Sequence, residues 1–364
     1  MKITIIAGAR PNFMKIAPII HAINNADGIP HQIEYRLVHT GQHYDEKMSG
    51  SFFDQLGIPE PDINLNCGGG TQSEQTAAIL IAFEKELEKN PADLVLVVGD
   101  VTSTMACAIV AKKMATDVAH VEAGIRSFDM TMPEEINRMV TDSITDYFFT
   151  TSSTANENLL NAGFDKERIH FVGNVMIDTL LSNIDKLKKP SFYDAMSLSA
   201  NEYIVLTLHR PANVDDQNQF RDLLLEIINN SRGLPLIFPM HPRSAKTFDA
   251  LGISAPNLKI VEPMGYLEFN YLVKNSKVVI TDSGGITEET TVMRIPCLTL
   301  RNNTERPETI THGTNELIGT EPEKIKPALD KVFDNVWKKG GIPEKWDGKS
   351  AERIVELLGR IYGK

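Results

Sequence analysis

The stretch at residues 277–290, KVVITDSGGITEET, joins an apolar run, a glycine turn and the start of a helix. The apolar run at 277–280 is typical of a buried strand. A helix start carries unpaired N–H groups and a partial positive charge, so it attracts anions, and glycine lets a ligand approach the backbone. Glu288 and Glu289 would repel a bare phosphate but can accept hydrogen bonds from sugar hydroxyls. The stretch therefore indicates either a nucleotide site or a capped helix with solvated acids.

The same strand–turn–helix unit recurs along the chain. Short β-branched runs such as KITIIAG, DLVLVVGD, YIVLTLHR and LPLIFPMHP alternate with longer amphipathic stretches such as TQSEQTAAILIAFEKELEK. This alternation predicts parallel sheets with helices on both faces. Two sets of such units in 364 residues predict an α/β protein with two doubly wound, Rossmann-like domains.

The domain boundary is predicted near VGNVMIDTLLSNIDKLKKP, where a helix and a Lys-rich stretch precede the next strand. We expect an N-terminal domain at residues 1–172 and a C-terminal domain at 173–346. A final helix is expected at 347–364, with Ile354 and Leu358 on its packed face. The sequence leaves open which domain this helix contacts, and packing back on the N-terminal domain is one arrangement.

The overall composition excludes several classes of protein. With 42% hydrophobic and 23% charged residues, the chain is typical of a globular protein. The net charge of −11 argues against a broad nucleic-acid or anionic-membrane surface. Three scattered cysteines fit reduced thiols, and the first apolar run is too short for a signal peptide or a membrane span. We expect a cytoplasmic protein that binds neither nucleic acid nor membranes.

Polar residues follow the predicted strands in both halves of the chain. In open parallel sheets, ligands bind beyond the carboxyl ends of the strands. Two domains that face each other with polar strand ends would form a ligand cleft between them. The residues at these positions are Arg10, Gln42, His43, Asp100 and Glu122 in the first half, and His209, Arg210, His241, Ser283, Gly284 and Gly285 in the second.

Each of these residues also has an ordinary structural explanation. Arg10 and Lys15 in GARPNFMK would hold a phosphate at a helix start or lie in solvent. Asp100 in VVGDVTST is an acid of the site or an N-cap. Glu122 in HVEAGIRS is a poor strand residue and a poor cap. A half-buried carboxylate with an acid–base role is therefore favoured over a buried pair with Arg126.

The segment MPEEINRMVTD predicts a helix. Its expected core face consists of Ile136, Met139, Val140 and Ile144. Glu134 and Arg138 are spaced i,i+4. They form either a surface ion pair worth about 0.3–0.5 kcal/mol or a catalytic carboxylate beside a cation that keeps it ionised.

Two further motifs in the second half can bind a diphosphate. His209 and Arg210 in LTLHRPANVD would hold a diphosphate or assist its departure. Arg306 in RNNTERPETI would reach the glycine turn or lie in a solvated loop. The sequence has no G-x-G-x-x-G, no Walker loop and no cluster with metal-ligand spacing, so we expect no cofactor and no metal.

The motifs GARPNFMKIAP, GDVTST, HVEAGIRS, PEEINR, VGNVMIDTL, DSGGITEE and TERPET follow in the order seen in non-hydrolysing UDP-N-acetylglucosamine 2-epimerases. The chain resembles that family almost end to end. The resemblance implies the glycosyltransferase-B fold, a homodimer and a UDP-sugar in the cleft. It also implies interconversion of UDP-N-acetylglucosamine and UDP-N-acetylmannosamine through elimination and re-addition of UDP, which needs no redox cofactor. The product would supply cell-surface polysaccharide synthesis.

The resemblance also assigns roles to single residues. Catalytic roles fall to Asp100, Glu122, Glu134 and His209, with Arg138 as partner of the acids, and it stays open which carboxylate serves which face of C2. The turn formed by Ser283, Gly284 and Gly285 matches a diphosphate site, and Glu289 matches a ribose contact. Further substrate contacts are expected at Arg10, Lys15, His241 and Arg306.

One segment departs from the family pattern. Some bacterial members are activated by their own substrate and have an arginine where this chain has Tyr44, after Gln42 and His43. This difference leaves open a loss of activation, a modified sugar substrate, or hydrolysis of the intermediate with release of UDP. A glycosyltransferase of the same fold and a non-catalytic nucleotide-sugar sensor are alternatives from other classes. The set of three acids argues against both.

Overall fold

The chain forms two compact units. A computed structural model describes residues 1–26, 33–42, 49–240, 248 and 252–363. The N-terminal unit comprises Met1–Ser182 and Glu344–Lys364, and the C-terminal unit comprises Asn183–Pro343.

The N-terminal unit is built on a parallel sheet. In the described part of the chain this sheet has seven strands in the order β3-β2-β1-β4-β5-β6-β7. The strands are Lys2–Ala7 (β1), Glu34–His39 (β2), Ile63–Asn64 (β3), Leu94–Val98 (β4), Asp117–Ala123 (β5), Tyr147–Thr150 (β6) and Ile169–Phe171 (β7). The helices between them are Arg10–Asn24 (α1), Ser49–Leu56 (α2), Gln72–Lys89 (α3), Thr102–Lys113 (α4), Pro133–Ile144 (α5), Ser153–Asn161 (α6) and Val175–Asn183 (α7).

The C-terminal unit repeats this architecture. Over its described residues, a six-stranded parallel sheet has the order β10-β9-β8-β11-β12-β13. The strands are Ile204–Thr207 (β8), Leu236–Pro239 (β9), Leu258–Val261 (β10), Val278–Thr281 (β11), Cys297–Thr299 (β12) and Asn315–Leu317 (β13). The helices are Phe192–Ala195 (α8), Pro211–Val214 (α9), Gln217–Asn230 (α10), Tyr266–Asn275 (α11), Gly284–Met293 (α12), Glu308–Thr311 (α13) and Ile325–Phe333 (α14).

Both strand orders reverse direction beside the first strand of the unit, which is the doubly wound pattern. The central strands are apolar throughout because helices cover both faces, and every residue of β4 is buried. The predicted α/β class with two doubly wound, Rossmann-like domains is confirmed. In each unit the chain leaves β1 or β8 at the point where the order reverses, and this point is where ligands bind in such folds.

The boundary between the units lies after residue 182, whereas the sequence pattern placed it after 172. Helix α7 stays with the N-terminal unit because its side chains pack there. Val175 belongs to the core around β1, and Thr179 Oγ1 donates a hydrogen bond to Met14 O at 2.6 Å. The chain re-enters the N-terminal unit at residue 344, whereas the predicted final segment began at 347. The buried Trp346 donates from Nε1 to Thr151 O at 3.1 Å.

The last helix, Ser350–Tyr362 (α15), packs against α1 in the N-terminal unit. Ile354 and Leu358 are fully buried in the same core as the β1 side chains. The buried Asp178 accepts a hydrogen bond from Ala351 N at 2.7 Å, and Tyr362 Oη donates to Asp117 Oδ2 at 2.6 Å. Both ends of the helix are therefore fixed to this unit.

Helix α5 does not bury the face that its apolar residues predicted. Ile136 is 44% exposed and Met139 is 45% exposed. The buried residues of the helix are Glu135, Asn137, Arg138, Thr141 and Asp142. The prediction assumed that the apolar side of the helix packs inward. The polar side is buried instead, because its side chains form ion pairs and hydrogen bonds that replace their contacts with water. Among the described helices, none is long and apolar enough to cross a membrane.

Candidate active site

Asp100 lies at the carboxyl end of β4 and is paired with Arg138 of α5. Arg138 donates from Nε and Nη2 to Asp100 Oδ2 at 3.0 and 2.6 Å. The Arg138 side chain is 2% exposed, whereas the Asp100 side chain is 20% exposed. The N-cap of α4 is Val101, so the structure does not place Asp100 as that cap. Asp100 is thus a carboxylate beside a buried cation, with part of its surface open to a ligand.

Glu135 holds Arg138 from the other side. Arg138 Nη1 donates to Glu135 Oε2 at 2.5 Å. The buried Glu135 also accepts from the backbone N–H groups of Ser127 and Phe128, both at 3.0 Å. Glu134, which the sequence motif indicated, is exposed on the helix surface, whereas the buried Glu135 was not among the predicted site residues. The i,i+3 spacing of Glu135 and Arg138 was the available signal.

Glu122 occupies a strained position in the central strand β5. Its φ angle is 73°, and the pairing of β5 with β6 shifts register between Val121 and Ala123. A residue other than glycine in this left-handed region costs roughly 1–2 kcal/mol. Bulges of this kind are common next to active sites, where they redirect a side chain. The bulge therefore explains how a glutamate is accommodated in a buried strand.

The buried side chain of Lys15 forms an ion pair with Glu122. Lys15 Nζ lies 2.7 Å from Glu122 Oε2. Gly99, with φ of 67°, lies under the lysine, and a Cβ atom there would be 2.7 Å from Lys15 Nζ. Arg126, the alternative partner of Glu122, forms an ion pair with Asp142 at 2.7 Å. Lys15 is thus buried beside Glu122 and does not lie in solvent.

The turn between β1 and α1 is fixed by Asn12, which the sequence analysis missed. Asn12 Oδ1 accepts from Gly8 N at 3.0 Å and from Ala9 N at 2.9 Å. Its amide group donates to Val98 O at 3.1 Å, at the end of β4. Arg10 begins α1 half-buried, and burial lowers the pKa of its guanidinium. Asn12 therefore holds the loop that carries Arg10 against the loop that carries Asp100.

The segment that departs from the family pattern is described in part. Gln42 Oε1 accepts from Ser103 N at 3.2 Å and from Ser103 Oγ at 2.8 Å, at the start of α4. His43 and Tyr44 lie outside the described residues, and so does His241.

A buried histidine, His120, contacts the backbone next to Asp100 and the side chain of Asp142. His120 Nδ1 lies 2.7 Å from Asp142 Oδ1, and His120 Nε2 lies 2.8 Å from Gly99 O. Asp142 Oδ2 accepts from Gly124 N at 3.1 Å and from Arg126 Nη2 at 2.7 Å. Burial alone would raise the pKa of Asp142, but His120 and Arg126 outweigh it, so the pKa is lowered and Asp142 is ionised.

In the C-terminal unit, Asp282 organises the loop that carries His209. The buried Asp282 carboxylate accepts from His209 N at 3.0 Å, from Arg210 N at 2.9 Å and from Asn213 Nδ2 at 3.0 Å. His209 Nδ1 lies 2.8 Å from Asp282 Oδ1, while the His209 side chain is 64% exposed. Burial favours a higher pKa for Asp282, but the contacts with His209 and Asn213 prevail and lower it.

The consequence for His209 is a fixed orientation of its ring. An ionised Asp282 accepts a hydrogen bond from His209 Nδ1–H, which leaves Nε2 as the nitrogen that can meet a ligand. Asp282 belongs to the quoted motif but was not among the predicted site residues. An aspartate between a buried strand and a serine-glycine turn was the available signal.

The glycine turn begins α12 directly after Asp282. A Cβ atom on Gly284 would lie 2.8 Å from Glu305 Oε1 and 3.0 Å from Arg306 Nη1. A Cβ atom on Gly285 would meet no described atom within 4 Å. Ser283 occupies the N-cap position and makes no side-chain cap hydrogen bond. The turn thus leaves open space beside Gly285 at the start of α12, with Arg306 next to Gly284.

Arg306 is buried among carboxylates and does not lie in a solvated loop. Its Nε contacts Glu288 Oε1, and its Nη1 donates to Glu305 Oε1 at 2.8 Å. Glu305 Oε2 in turn accepts from Arg301 Nη2 at 2.6 Å. This network fixes the guanidinium next to Gly284.

Glu289 lies one turn into α12 and is buried. Burial raises the pKa of its carboxyl to about 7, against the opposing hydrogen bond from Asn270 at 3.3 Å. Hydrogen bonds donated by hydroxyl groups would stabilise the ionised form of this carboxyl. Among the described residues, no cluster of three or more metal-ligating side chains occurs.

The family model for UDP-N-acetylglucosamine 2-epimerase matches residues 28–359 of this chain. The chain belongs to the UDP-N-acetylglucosamine 2-epimerase family. It is 42% identical to the UDP-N-acetylglucosamine 2-epimerase of Methanocaldococcus jannaschii, with all of both chains covered. It is 38% identical to the UDP-2,3-diacetamido-2,3-dideoxy-D-glucuronate 2-epimerase of Pseudomonas aeruginosa, over 99% of this chain and 100% of the relative.

Solved structures of the epimerase family share this fold. The M. jannaschii enzyme in complex with UDP-N-acetylglucosamine and UDP superimposes with a TM-score of 0.87 at 42% identity, covering 99% of this chain and 100% of that one. The predicted glycosyltransferase-B type of architecture and the prediction of an epimerase, an isomerase, are confirmed by these relatives.

The epimerase motifs fall into two clusters. In the N-terminal unit, two ion pairs lie at the carboxyl end of the sheet, Arg138 with Asp100 and Lys15 with Glu122, and Arg10 begins α1. In the C-terminal unit, the strand ends bring together His209, Ser283, Gly284, Gly285 and Arg306, with Glu289 one turn further on. Glu134 lies on the surface of α5, outside the buried network.

Proposed function

We propose that this epimerase interconverts UDP-N-acetylglucosamine and UDP-N-acetylmannosamine without hydrolysis and without a redox cofactor. The observation that carries the proposal is the pair of carboxylates Asp100 and Glu122 at one sheet edge. Each lies beside a buried cation, Arg138 and Lys15 respectively. The two cations hold these carboxylates in place at the sheet edge, where the proposed reaction requires a base.

The chemistry follows from the sugar. C2 has no neighbouring carbonyl, so its proton is too weakly acidic for simple removal and return. A base takes the C2 proton while the bond from C1 to the UDP oxygen breaks, and the C2–H electron pair forms the double bond of 2-acetamidoglucal. UDP then adds back to C1 as an acid protonates C2 from the other face. Asp100, Glu122 and Glu134 are the groups that we propose for these proton transfers, with the assignment to each face left open.

The C-terminal cluster fits the UDP portion. Anions bind at helix starts, and Gly285 faces open space at the start of α12, so we place the diphosphate at Ser283, Gly284 and Gly285. Arg306 and His209 would stabilise the charge that develops on the departing UDP. Glu289 would accept hydrogen bonds from the ribose hydroxyls.

Further contacts complete the proposed substrate site. Arg10, at the start of α1, and His241 are placed near the diphosphate by the resemblance to the family. Lys15 is also proposed as a substrate contact, because its Nζ lies beside Glu122 and close to the turn at Gly99.

A second substrate is supported by one comparison. The relative named for UDP-2,3-diacetamido-2,3-dideoxy-D-glucuronate is 38% identical, close to the 42% of the M. jannaschii enzyme. A modified UDP-sugar is therefore the second candidate. The two candidates are distinguished by their kcat/KM values, measured side by side on the purified protein.

We also propose that the enzyme is a cytoplasmic homodimer whose product supplies cell-surface polysaccharide synthesis. The inverted face of α5 supports the dimer, because Ile136 and Met139 are exposed together and Phe128 nearby in sequence is exposed as well. Met139→Glu should convert the dimer to a monomer in light scattering. Leu160→Glu, at a site of 44% exposure on α6, is the control that should stay dimeric. A dimer that persists in Met139→Glu would place the interface elsewhere.

The deciding experiment is proton NMR of the purified protein with UDP-N-acetylglucosamine in heavy water and no added cofactor. We expect UDP-N-acetylmannosamine that carries deuterium at C2. Free UDP together with N-acetylmannosamine would instead establish the hydrolysing reaction. No exchange with this sugar, but exchange with the diacetamido-glucuronate, would establish the second substrate. Turnover that needs an added acceptor would support a glycosyltransferase, and binding without turnover would support a sensor.

A further inference from the structure

The backbone that carries Asp100 and Glu122 is held by two buried side chains, His120 and Asp142. Gly99, which precedes Asp100, donates from its N–H to Val121 O at 3.0 Å. Its carbonyl oxygen lies 2.8 Å from His120 Nε2. Both sides of this peptide turn are therefore bound to β5, the strand that carries Glu122.

The carboxylate of Asp142 spans the strained bulge at Glu122. Its Oδ1 contacts His120 Nδ1, two residues before Glu122, and its Oδ2 accepts from Gly124 N, two residues after it. A left-handed residue in a strand persists only when its surroundings enforce it. Asp142 supplies that enforcement from both sides of the bulge.

The hydrogen-bond partners of His120 fix the orientation of its ring. Gly99 O can only accept, so Nε2 must donate. On the other side of the ring, Nδ1 lies 2.7 Å from Asp142 Oδ1. His120 is fully buried and thus bridges the Gly99 carbonyl and the Asp142 carboxyl group.

We propose that His120 and Asp142 are positioning residues of the epimerase, a buried clamp that fixes the two backbone segments carrying Asp100 and Glu122. Neither clamp residue touches the sugar. They act through the Gly99 carbonyl and through the bulge. The inference rests on the proposed roles of Asp100 and Glu122. Loss of the clamp shifts these carboxylates, and a displacement of about 1 Å can cost about 100-fold in rate.

The first test uses His120→Asn and Asp142→Asn, with rates normalised to the number of UDP-binding sites found by calorimetry. We expect kcat for epimerisation to fall about 100-fold in each variant, with the Kd for UDP within about threefold of the unmodified enzyme. A merely structural role would reduce kcat only in proportion to the fraction of protein that thermal denaturation shows to be unfolded at the assay temperature. A kcat per site within about threefold of normal in both variants would overturn the proposal.

Matched controls come from the same unit. His170→Asn changes a half-buried histidine of β7, and Asp178→Asn changes a buried carboxylate that binds α15. Both should leave kcat per UDP-binding site unchanged, although Asp178→Asn should lower the Tm. Asp100→Asn tests the proposed function separately. If Asp100→Asn stays active, the roles of the acids are wrong, whereas an inactive Asp100→Asn beside a normal His120→Asn rejects the clamp alone.

The second test is independent of turnover. The enzyme labelled with ¹⁵N-histidine should give a His120 signal in which Nε2 is protonated and hydrogen-bonded, as the contact with the Gly99 carbonyl requires. A folded His120→Asn variant identifies this signal by its loss. A His120 ring with an unprotonated Nε2 would overturn the clamp.

Discussion

Lys15 Nζ lies 2.7 Å from Glu122 Oε2, and this ion pair between α1 and β5 is buried. Breaking a buried pair from one side leaves an uncompensated charge, whereas replacing both partners does not. We expect Lys15→Met to lower the free energy of unfolding by about 3–5 kcal/mol. The double variant Lys15→Met/Glu122→Gln should recover most of that loss. Urea denaturation measures both, and a single variant as stable as the unmodified enzyme would show that the pair is open to water.

Helix α5 offers two adjacent glutamates with opposite expected behaviour. Glu134→Gln should leave the Tm unchanged, because the side chain is exposed, and should lower kcat by about 10²–10⁴-fold if Glu134 transfers a proton. Glu135→Gln should lower the Tm, because it weakens the buried contact with Arg138. UDP affinity should stay within a few-fold in both. Normal turnover in Glu134→Gln would remove this residue from the mechanism.

The sequence predicted the strands well because a strand covered on both faces has a simple apolar pattern, as in LVLVV of β4. It also placed polar residues at the ends of these strands, where Asp100, Glu122 and His209 lie. The prediction for α5 failed for a physical reason. A helix usually packs with its apolar side toward the core. Here the polar side is buried, because the charges of Arg138 and Glu135 neutralise each other in an ion pair.

The residues that the sequence analysis missed act on the backbone of their neighbours. Asn12 and Asp282 accept hydrogen bonds from backbone N–H groups of loops, and Glu135 accepts two such bonds. Contacts of this kind depend on the path of the chain in space. No local spacing indicates the bulge at Glu122 either, because it arises where β5 meets β6.

The two glycines of the diphosphate turn should respond differently to alanine. A Cβ atom on Gly284 would collide with the Glu305 and Arg306 side chains, so Gly284→Ala should destabilise the protein by about 1–3 kcal/mol. A Cβ atom on Gly285 points to open space at the start of a helix. Gly285→Ala should therefore preserve or raise stability by about 0.4–1 kcal/mol.

The binding of UDP distinguishes these two effects. Gly285→Ala should weaken UDP binding about tenfold or more, equal to about 1.4 kcal/mol, because the methyl group would occupy the space proposed for the diphosphate. Isothermal titration calorimetry gives the Kd and thermal unfolding gives the Tm. Unchanged affinity in a stable Gly285→Ala protein would move the diphosphate away from this turn.

Glu289 should make stability and substrate binding depend on pH in opposite directions. Its pKa is raised by burial from 4.5 to about 7, so the folded protein binds this proton more tightly than the unfolded chain. The contribution to stability is therefore complete below about pH 4.5 and is lost as the pH rises through about 7, with an upper limit of about 3 kcal/mol. Glu289→Gln, which cannot ionise, should lack this decline in urea denaturation.

Binding of UDP-N-acetylglucosamine should instead strengthen as Glu289 ionises, since the ribose hydroxyls would donate to the carboxylate. With a pKa of about 7, the ionised fraction rises about tenfold between about pH 6 and pH 8, and the affinity should follow it. Calorimetry on the Asp100→Asn variant measures this without turnover, and the sugar nucleotide avoids the terminal phosphate of UDP, which itself titrates in this range. An affinity that does not change with pH, together with normal binding in Glu289→Gln, would show that the ribose lies elsewhere.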